Sequence, residues 1–194
     1  FGRPNVNLKS IDKIRKSISI PIQLGGGIRK ESDVTRYFDL GIEHLIIGSM
    51  SIKEPEVVKF LSNKYKNKIY VSLDIENNHI MIKGWQENSN FTTDDILNVY
   101  KHANIKGYVI TDIKNDGMLK GLDTIFINNI VNKIEIQSDI KKSVIIAGGL
   151  TNYNDLENIK KMNLKNLEGI ISGKSFYVGN IDLKRAQIIL DTND

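Results

Sequence analysis

The chain has 194 residues, 40% of them hydrophobic, enough to bury a core within the size range of a single domain. It contains no cysteine, which excludes a disulfide framework, a thiolate zinc site and a cysteine nucleophile, and no apolar run approaches the roughly 20 residues of a membrane span. The net charge of +4 arises from 27 basic and 23 acidic residues that are interspersed rather than gathered into a stripe, a pattern that suits a small phosphorylated ligand as well as nucleic acid.

Short β-rich runs alternate with helix-period segments from end to end, which predicts βαβ units around a parallel sheet. The runs are Ile20 to Leu24, His44 to Gly48, Ile69 to Asp74, Gly107 to Thr111, Ser143 to Ala147 and Gly169 to Gly173. They are almost wholly apolar, as parallel strands covered by helices on one side and a barrel core on the other should be. Between them, Leu8, Ile11, Ile14 and Ile18 fall on one helical face, and so do Val34, Tyr37 and Phe38. After the third run the pattern is interrupted. Asn77-Asn78 reads as the turn of a small hairpin, and Trp85, the only tryptophan, follows Gly84.

The most informative feature is an internal repeat. Gly26-Gly27-Ile28-Arg29 with Asp33 aligns with Gly148-Gly149-Leu150-Thr151 with Asp155, and Glu43 to Ser49 then aligns with Glu168 to Lys174 after a three-residue insertion. Two strand-turn-helix-strand units thus follow one plan. In a doubly repeated eight-strand barrel they are strands three and four, then seven and eight. The expected fold is therefore an α/β (β/α)₈ TIM barrel whose strands 3 to 8 lie in residues 1–194 as one domain. The same repeat puts the symmetry partner of Asp74 about fifty residues before Phe1, so the first two strands are expected upstream, in a barrel of roughly 250 residues.

Consecutive glycines after a strand let backbone N–H groups approach a phosphate, and a following helix N-terminus adds partial positive charge. Gly25-Gly26-Gly27 and Gly148-Gly149 fit that role, although either cluster alone could be a tight turn. The repeat favours phosphate. Each cluster is followed by a strand ending in Gly and a polar residue, Gly48-Ser49 and Gly173-Lys174, so the expected ligand carries a phosphate at each end. Arg29 and Lys174 add charge on this reading, or are simply solvated cations. Asp74 ends its strand on the face where barrels keep their chemistry, as an acid or base or as a mere turn or cap residue. Thr111 and Asp112 end the next strand, and Asp116-Gly117 follows, a dipeptide that is most often only a turn. Trp85 is either a buried anchor or a ring that stacks on a heteroaromatic substrate. His44, His79 and His102 lack metal-ligand spacing and are expected to be solvated or capping.

Taken together, these residues resemble the HisA family, the phosphoribosylformimino aminoimidazole carboxamide ribotide isomerases of histidine biosynthesis. The resemblance runs through Asn7-Leu8, Ile20 to Arg29, Gly48-Ser49, Leu73-Asp74, Lys83-Gly84-Trp85-Gln86, Thr111-Asp112-Ile113, Asp116-Gly117, Gly148-Gly149 and Gly173-Lys174. It implies a cytoplasmic Amadori rearrangement, the aminoaldose ribonucleotide ProFAR becoming the aminoketose PRFAR, without cofactor or metal. It implies that Asp74 is the proton donor for ring opening, that Thr111 and Asp116 support that acid work, and that Trp85 stacks on the imidazole. Substrate binding falls to Gly25, Gly26, Gly27, Arg29, Gly48, Ser49, Lys83, Trp85, Gly148, Gly149, Gly173 and Lys174. The family's general base is an aspartate ending the first strand, which these residues do not include. The expectation is an isomerase that is monomeric at full length, binds neither nucleic acid nor membrane, and is inactive as this segment alone, whose open sheet edges would favour aggregation. The sister cyclase, HisF, shares the barrel and both phosphate sites; Lys83-Gly84-Trp85 and Thr111-Asp112-Ile113 resemble the isomerase instead. Lys83 also differs from the arginine of the dual-substrate isomerases shared with tryptophan biosynthesis. A non-catalytic phosphate-binding remnant is the alternative of another class.

Overall fold

The computed structural model describes residues 4–82 and 84–192. They form two compact units, one containing the chain up to Ser72 with Ala103–Lys106, the other Leu73–His102 and the chain from Gly107 onward.

The first unit runs α1 (Pro4–Ser17), β1 (Gln23–Gly25), α2 (Glu31–Asp39), β2 (His44–Ile47), α3 (Ser49–Lys53), α4 (Pro55–Lys64) and the opening residues of β3 (Ile69–Glu76). β1 pairs in parallel with β2, Leu24 opposite Leu45, and β2 pairs in parallel with β3, Ile46 opposite Tyr70. Val34, Leu45, Ile47, Val58, Leu61, Ile69, Tyr70 and Val71 are wholly buried, so the apolar runs and the inner helical faces meet in one core. Two expectations change. The first strand is three residues long rather than Ile20 to Leu24, because Pro21 brings no N–H to a ladder and Ile20 stays exposed. The predicted face of α1 is only partly used, with Ile14 and Ile18 exposed and Ile18 beyond the helix end.

The second unit continues with the C-terminal half of β3, β4 (His79–Ile82), β5 (Glu87–Thr92), α5 (Thr93–Tyr100), β6 (Gly107–Asp112), α6 (Thr124–Gln137), β7 (Ser143–Ala147), α7 (Tyr153–Lys161), β8 (Leu167–Ile170), α8 (Lys174–Tyr177) and α9 (Leu183–Asp191). β6 pairs in parallel with β7 from Gly107 opposite Ser143 to Thr111 opposite Ala147, and β7 pairs in parallel with β8. β6 lies beside β3, where the Ile113 N–H donates to the Ile75 carbonyl at 3.2 Å. The eighth element of the sheet starts earlier than the run Gly169 to Gly173 suggested, since Leu167 already pairs with Val144. This succession of parallel strands and helices is the α/β arrangement from which (β/α)₈ barrels are built.

The predicted hairpin is present. β4 folds back antiparallel on β3 through Asn77 and Asn78, whose φ values of 49° and 65° belong to the left-handed region that asparagine tolerates. The excursion is longer than expected, because β5 adds a third antiparallel strand. Its sequence Glu87-Asn88-Ser89-Asn90-Phe91-Thr92 is mostly polar and carries little strand signal by itself. Pairing with β4 makes it a strand. At its end Thr92 and Asp95 form a reciprocal capping box that starts α5. Among the described residues no helix is long and apolar enough to cross a membrane.

Candidate active site

The two copies of the repeat adopt the same backbone at matched positions. Gly26 and Gly148 have φ of 94° and 91°, Gly27 and Gly149 of 72° and 96°, values that L side chains rarely adopt. In the first unit the Arg29 N–H donates to Asp33 Oδ2 at 3.1 Å; in the second the Thr151 N–H donates to Asp155 Oδ2 at 2.9 Å. Both aspartates are at least nine-tenths buried. At the following strand ends Gly48 (φ −93°, ψ −109°) and Gly173 (φ −102°, ψ −100°) precede the short helices α3 and α8, so Ser49 and Lys174 are matching first helical residues. The repeat is thus physical: the same residue pattern directs each chain from strand to glycine turn to helix.

Gly148 shows why glycine is needed. A β-carbon there would lie 2.5 Å from the Asp112 carbonyl oxygen, and one on Gly149 would lie 2.7 Å from the Gly121 carbonyl oxygen. The turn after β7 therefore presses directly on the loop after β6. That loop is locally organised. Asp112 is buried, its carboxylate accepts from Asn115 Nδ2 at 2.6 Å, and its carbonyl accepts from the Asp116 N–H at 3.0 Å. Asp116 is held by its backbone and is exposed; Thr111 is half-buried near the end of β6. Lys174 reaches over from α8 to donate to the Gly117 carbonyl at 2.8 Å. The loops after β6, β7 and β8 are thereby joined at the C-terminal end of their strands.

On the same unit Asp74 lies within β3 opposite Met81 rather than in a turn, and its Oδ2 accepts a hydrogen bond from Trp85 Nε1 at 2.9 Å. Trp85 is 41% exposed with φ of 68°, so the ring is not a core anchor. It is displayed beside the carboxylate. The excursion β4–β5 is what carries it there. Lys83 lies outside the described residues.

Within the second unit the predicted residues Gly148, Gly149, Asp116, Thr111, Gly173 and Lys174 thus fall on successive loops or strand ends, and Asp74 and Trp85 form a bonded pair. Gly25, Gly26, Gly27, Arg29, Gly48 and Ser49 belong to the first unit. The histidines follow their separate local surroundings. His102 contacts Asp139 at 2.6 Å and His79 the Asn77 carbonyl at 3.0 Å. His44 departs from the expectation of a solvated ring, being half-buried edge-on to Tyr70 with centroids 5.5 Å apart. Among the described residues no group of three His, Asp or Glu side chains could hold a metal ion. Sequence reasoning passed over the bond between Thr151 and Gly121, which lie 30 residues apart. The repeat had drawn attention to Thr151, but no local pattern names its partner.

Residues 2–182 match the model of a family described as histidine biosynthesis protein. Proteins named 1-(5-phosphoribosyl)-5-((5-phosphoribosylamino)methylideneamino) imidazole-4-carboxamide isomerase are similar along nearly the whole chain. The one from Nautilia profundicola is 40% identical over 94% of this chain and 73% of its own length. Those from Prochlorococcus marinus strain MIT 9301 and Aliarcobacter butzleri are 37% and 36% identical, over 98% and 97% of this chain and 72% and 76% of theirs. With its paired glycine turns and its structural repeat, the chain belongs to the histidine biosynthesis protein family, in the branch formed by these isomerases.

Proposed function

We propose that the chain carries the catalytic acid and both phosphate cradles of an isomerase that converts the aminoaldose ribonucleotide named in its relatives to the corresponding aminoketose. Its six parallel strands are assigned to places three to eight of a (β/α)₈ barrel, and the enzyme is assigned to the cytoplasm as a monomer, in keeping with small-molecule biosynthesis. The observation that carries the reading is the Trp85–Asp74 hydrogen bond, which pairs an ionisable group in β3 with a displayed aromatic ring.

In the reaction Asp74 donates its proton to the ribose ring oxygen as the C1–O bond breaks, leaving an iminium at C1. A base then removes the C2 proton, and the enolamine so formed tautomerises to the aminoketose. The resemblance assigns the base to an aspartate of the barrel's first strand, outside these residues. Trp85 stacks on the imidazole carboxamide while its N–H orients Asp74. Thr111 and Asp116, on the adjacent strand end and loop, support the acid. Gly148, Gly149, Gly173 and Lys174 hold one phosphate through backbone N–H groups and charge; Gly25, Gly26, Gly27, Arg29, Gly48 and Ser49 hold the other, and Lys83 adds a substrate contact. No cofactor or metal enters this scheme.

The test is turnover of the aminoaldose by the intact protein and by its Asp74→Asn variant. Conversion to the aminoketose that falls roughly 10²–10⁴-fold in the variant supports the reading. Unchanged turnover in Asp74→Asn removes Asp74 from the mechanism, and consumption of the aminoketose with ammonia in place of its formation points to the sister cyclase.

A further inference from the structure

We infer that Thr151 and Asp155 are positioning residues that hold the second glycine cradle in its phosphate-binding geometry, by a relay that the first cradle lacks. The inference rests on the phosphate role given above to Gly148 and Gly149.

Thr151 Oγ1 makes two bonds in opposite senses. It accepts from the Gly121 N–H at 2.9 Å and donates to the Gly149 carbonyl at 2.8 Å. A hydroxyl does both at once, and no apolar side chain of similar shape can. Fixing the Gly149 carbonyl fixes the plane of the Gly149–Leu150 peptide, and so the direction of the Leu150 N–H at the mouth of the turn. Asp155 anchors the other side. Its Oδ2 accepts from the Thr151 and Asn152 N–H groups at 2.9 and 3.1 Å, while Oδ1 accepts a longer bond from the Leu122 N–H at 3.4 Å. The carboxylate therefore bonds to both loops, with only 9% of the residue exposed. Around this relay the loops have no slack: a β-carbon on Gly121 would lie 3.2 Å from Asp155 Oδ1, and one on Gly149 2.7 Å from the Gly121 carbonyl.

The repeat supplies an internal control. Asp33 matches Asp155 and keeps the bond to the N–H three residues after the second turn glycine's predecessor, from Arg29. But Arg29 stands where Thr151 stands, and a guanidinium has no acceptor with which to receive a neighbouring loop's N–H. The carboxylate's bond to the N–H at this position is common to both copies; the hydroxyl half belongs to the second alone. At this one position the first cradle has a cation and the second a hydroxyl that ties two loops together. Backbone donors aimed in advance bind an oxyanion without a further ordering cost, so loss of the relay should appear in affinity.

The experiment compares Thr151→Val, which keeps the shape, with Thr151→Ser, which keeps the hydroxyl, in the intact protein. Steady-state kinetics on the aminoaldose, calorimetric binding of inorganic phosphate and urea unfolding are measured together. The expected result is a KM raised at least tenfold in Thr151→Val with kcat within threefold, phosphate binding weakened in parallel, and recovery to within threefold in Thr151→Ser. Unaltered KM and phosphate affinity in Thr151→Val would overturn the inference, as would a serine variant as impaired as valine. So would a loss that merely tracks the unfolding midpoint. If the parent protein does not turn over the aminoaldose but Thr151→Val still weakens phosphate binding and Thr151→Ser restores it, the positioning role stands and the proposed activity falls.

Discussion

Trp85 donates its indole N–H to Asp74 across a turn of the β3–β4–β5 excursion, at 2.9 Å, while 41% of the tryptophan remains exposed. One side chain thus has two separable capacities: its N–H orients a carboxylate, and its face remains open to a planar ligand. Replacing Trp85 with Phe removes the first and keeps much of the second; replacing it with Ala removes both. The expected outcome is a kcat lowered about tenfold in Trp85→Phe with KM within threefold, and a further rise of KM of up to about tenfold in Trp85→Ala, the scale of one lost aromatic stacking contact. Steady-state kinetics on the two variants separates these effects. Equal KM in both variants would mean that the ring does not stack on substrate.

The glycine turns offer a comparison in which backbone conformation is held constant. Gly26 and Gly148 have nearly equal φ, but among the described residues a β-carbon on Gly26 meets nothing within 4 Å, whereas one on Gly148 meets the Asp112 carbonyl at 2.5 Å. Gly26→Ala should cost about 1–2 kcal/mol from the left-handed backbone alone. Gly148→Ala adds a collision with main chain and should cost more than about 3 kcal/mol. Urea unfolding of the two variants checks the difference, and equal costs would mean that the loop after β6 yields easily.

Lys142, just before β7, is wholly buried, and loss of hydration lowers its amine to about 8 from the ordinary 10.5. Below about pH 8 the amine is charged in both folded and unfolded chains, and the folded state bears the cost of burying it. Between pH 8 and 10.5 the unfolded chain binds more proton than the folded one, so this group makes stability rise with pH. Lys142→Met should therefore be more stable than the parent at pH 7 by about 1–3 kcal/mol, with the advantage shrinking as pH approaches 10. Denaturant unfolding of both proteins at pH 7, 8.5 and 10 measures it. A constant difference would show that burial of the charge is not its source.

The capping box at the start of α5 is another local element with a measurable worth. Thr92 accepts from the Asp95 N–H, and the Asp95 carboxylate accepts from the Thr92 N–H and hydroxyl. Those bonds to Thr92 hold the Asp95 carboxyl below its usual range, so its contribution is present above the unfolded carboxylate value and is lost as pH falls through the folded one. Thr92→Ala should cost about 1 kcal/mol at pH 7 and less at pH 3, read from unfolding midpoints at the two values. A cost as large at pH 3 as at pH 7 would assign it to packing instead.

Much of the architecture was legible in the residues because it is written in short-range periodicity. Apolar runs at strand length, helical spacing between them and glycines at strand ends recur at fixed offsets, and the repeat of 122 residues predicts matching turns that the backbone angles of Gly26 and Gly148 reproduce. The Asn77-Asn78 turn was equally local. Strand limits were less legible. β1 is shortened by Pro21, and β5 exists because β4 offers it an edge, a circumstance that its own polar sequence does not encode.

What the sequence by itself determined, then, is the succession of six parallel strands with helices between them, the paired glycine turns, the family, and the chemical types available for acid work and phosphate binding. Only the tertiary structure decided which of those groups meet. That Trp85 bonds to Asp74, that Lys174 bonds to the Gly117 carbonyl, and that Thr151 clamps Gly121 follow from where separate loops converge. Local backbone preferences act over a few residues, whereas Gly121 and Thr151 are 30 apart in the chain and are joined only because β6 and β7 run side by side in parallel.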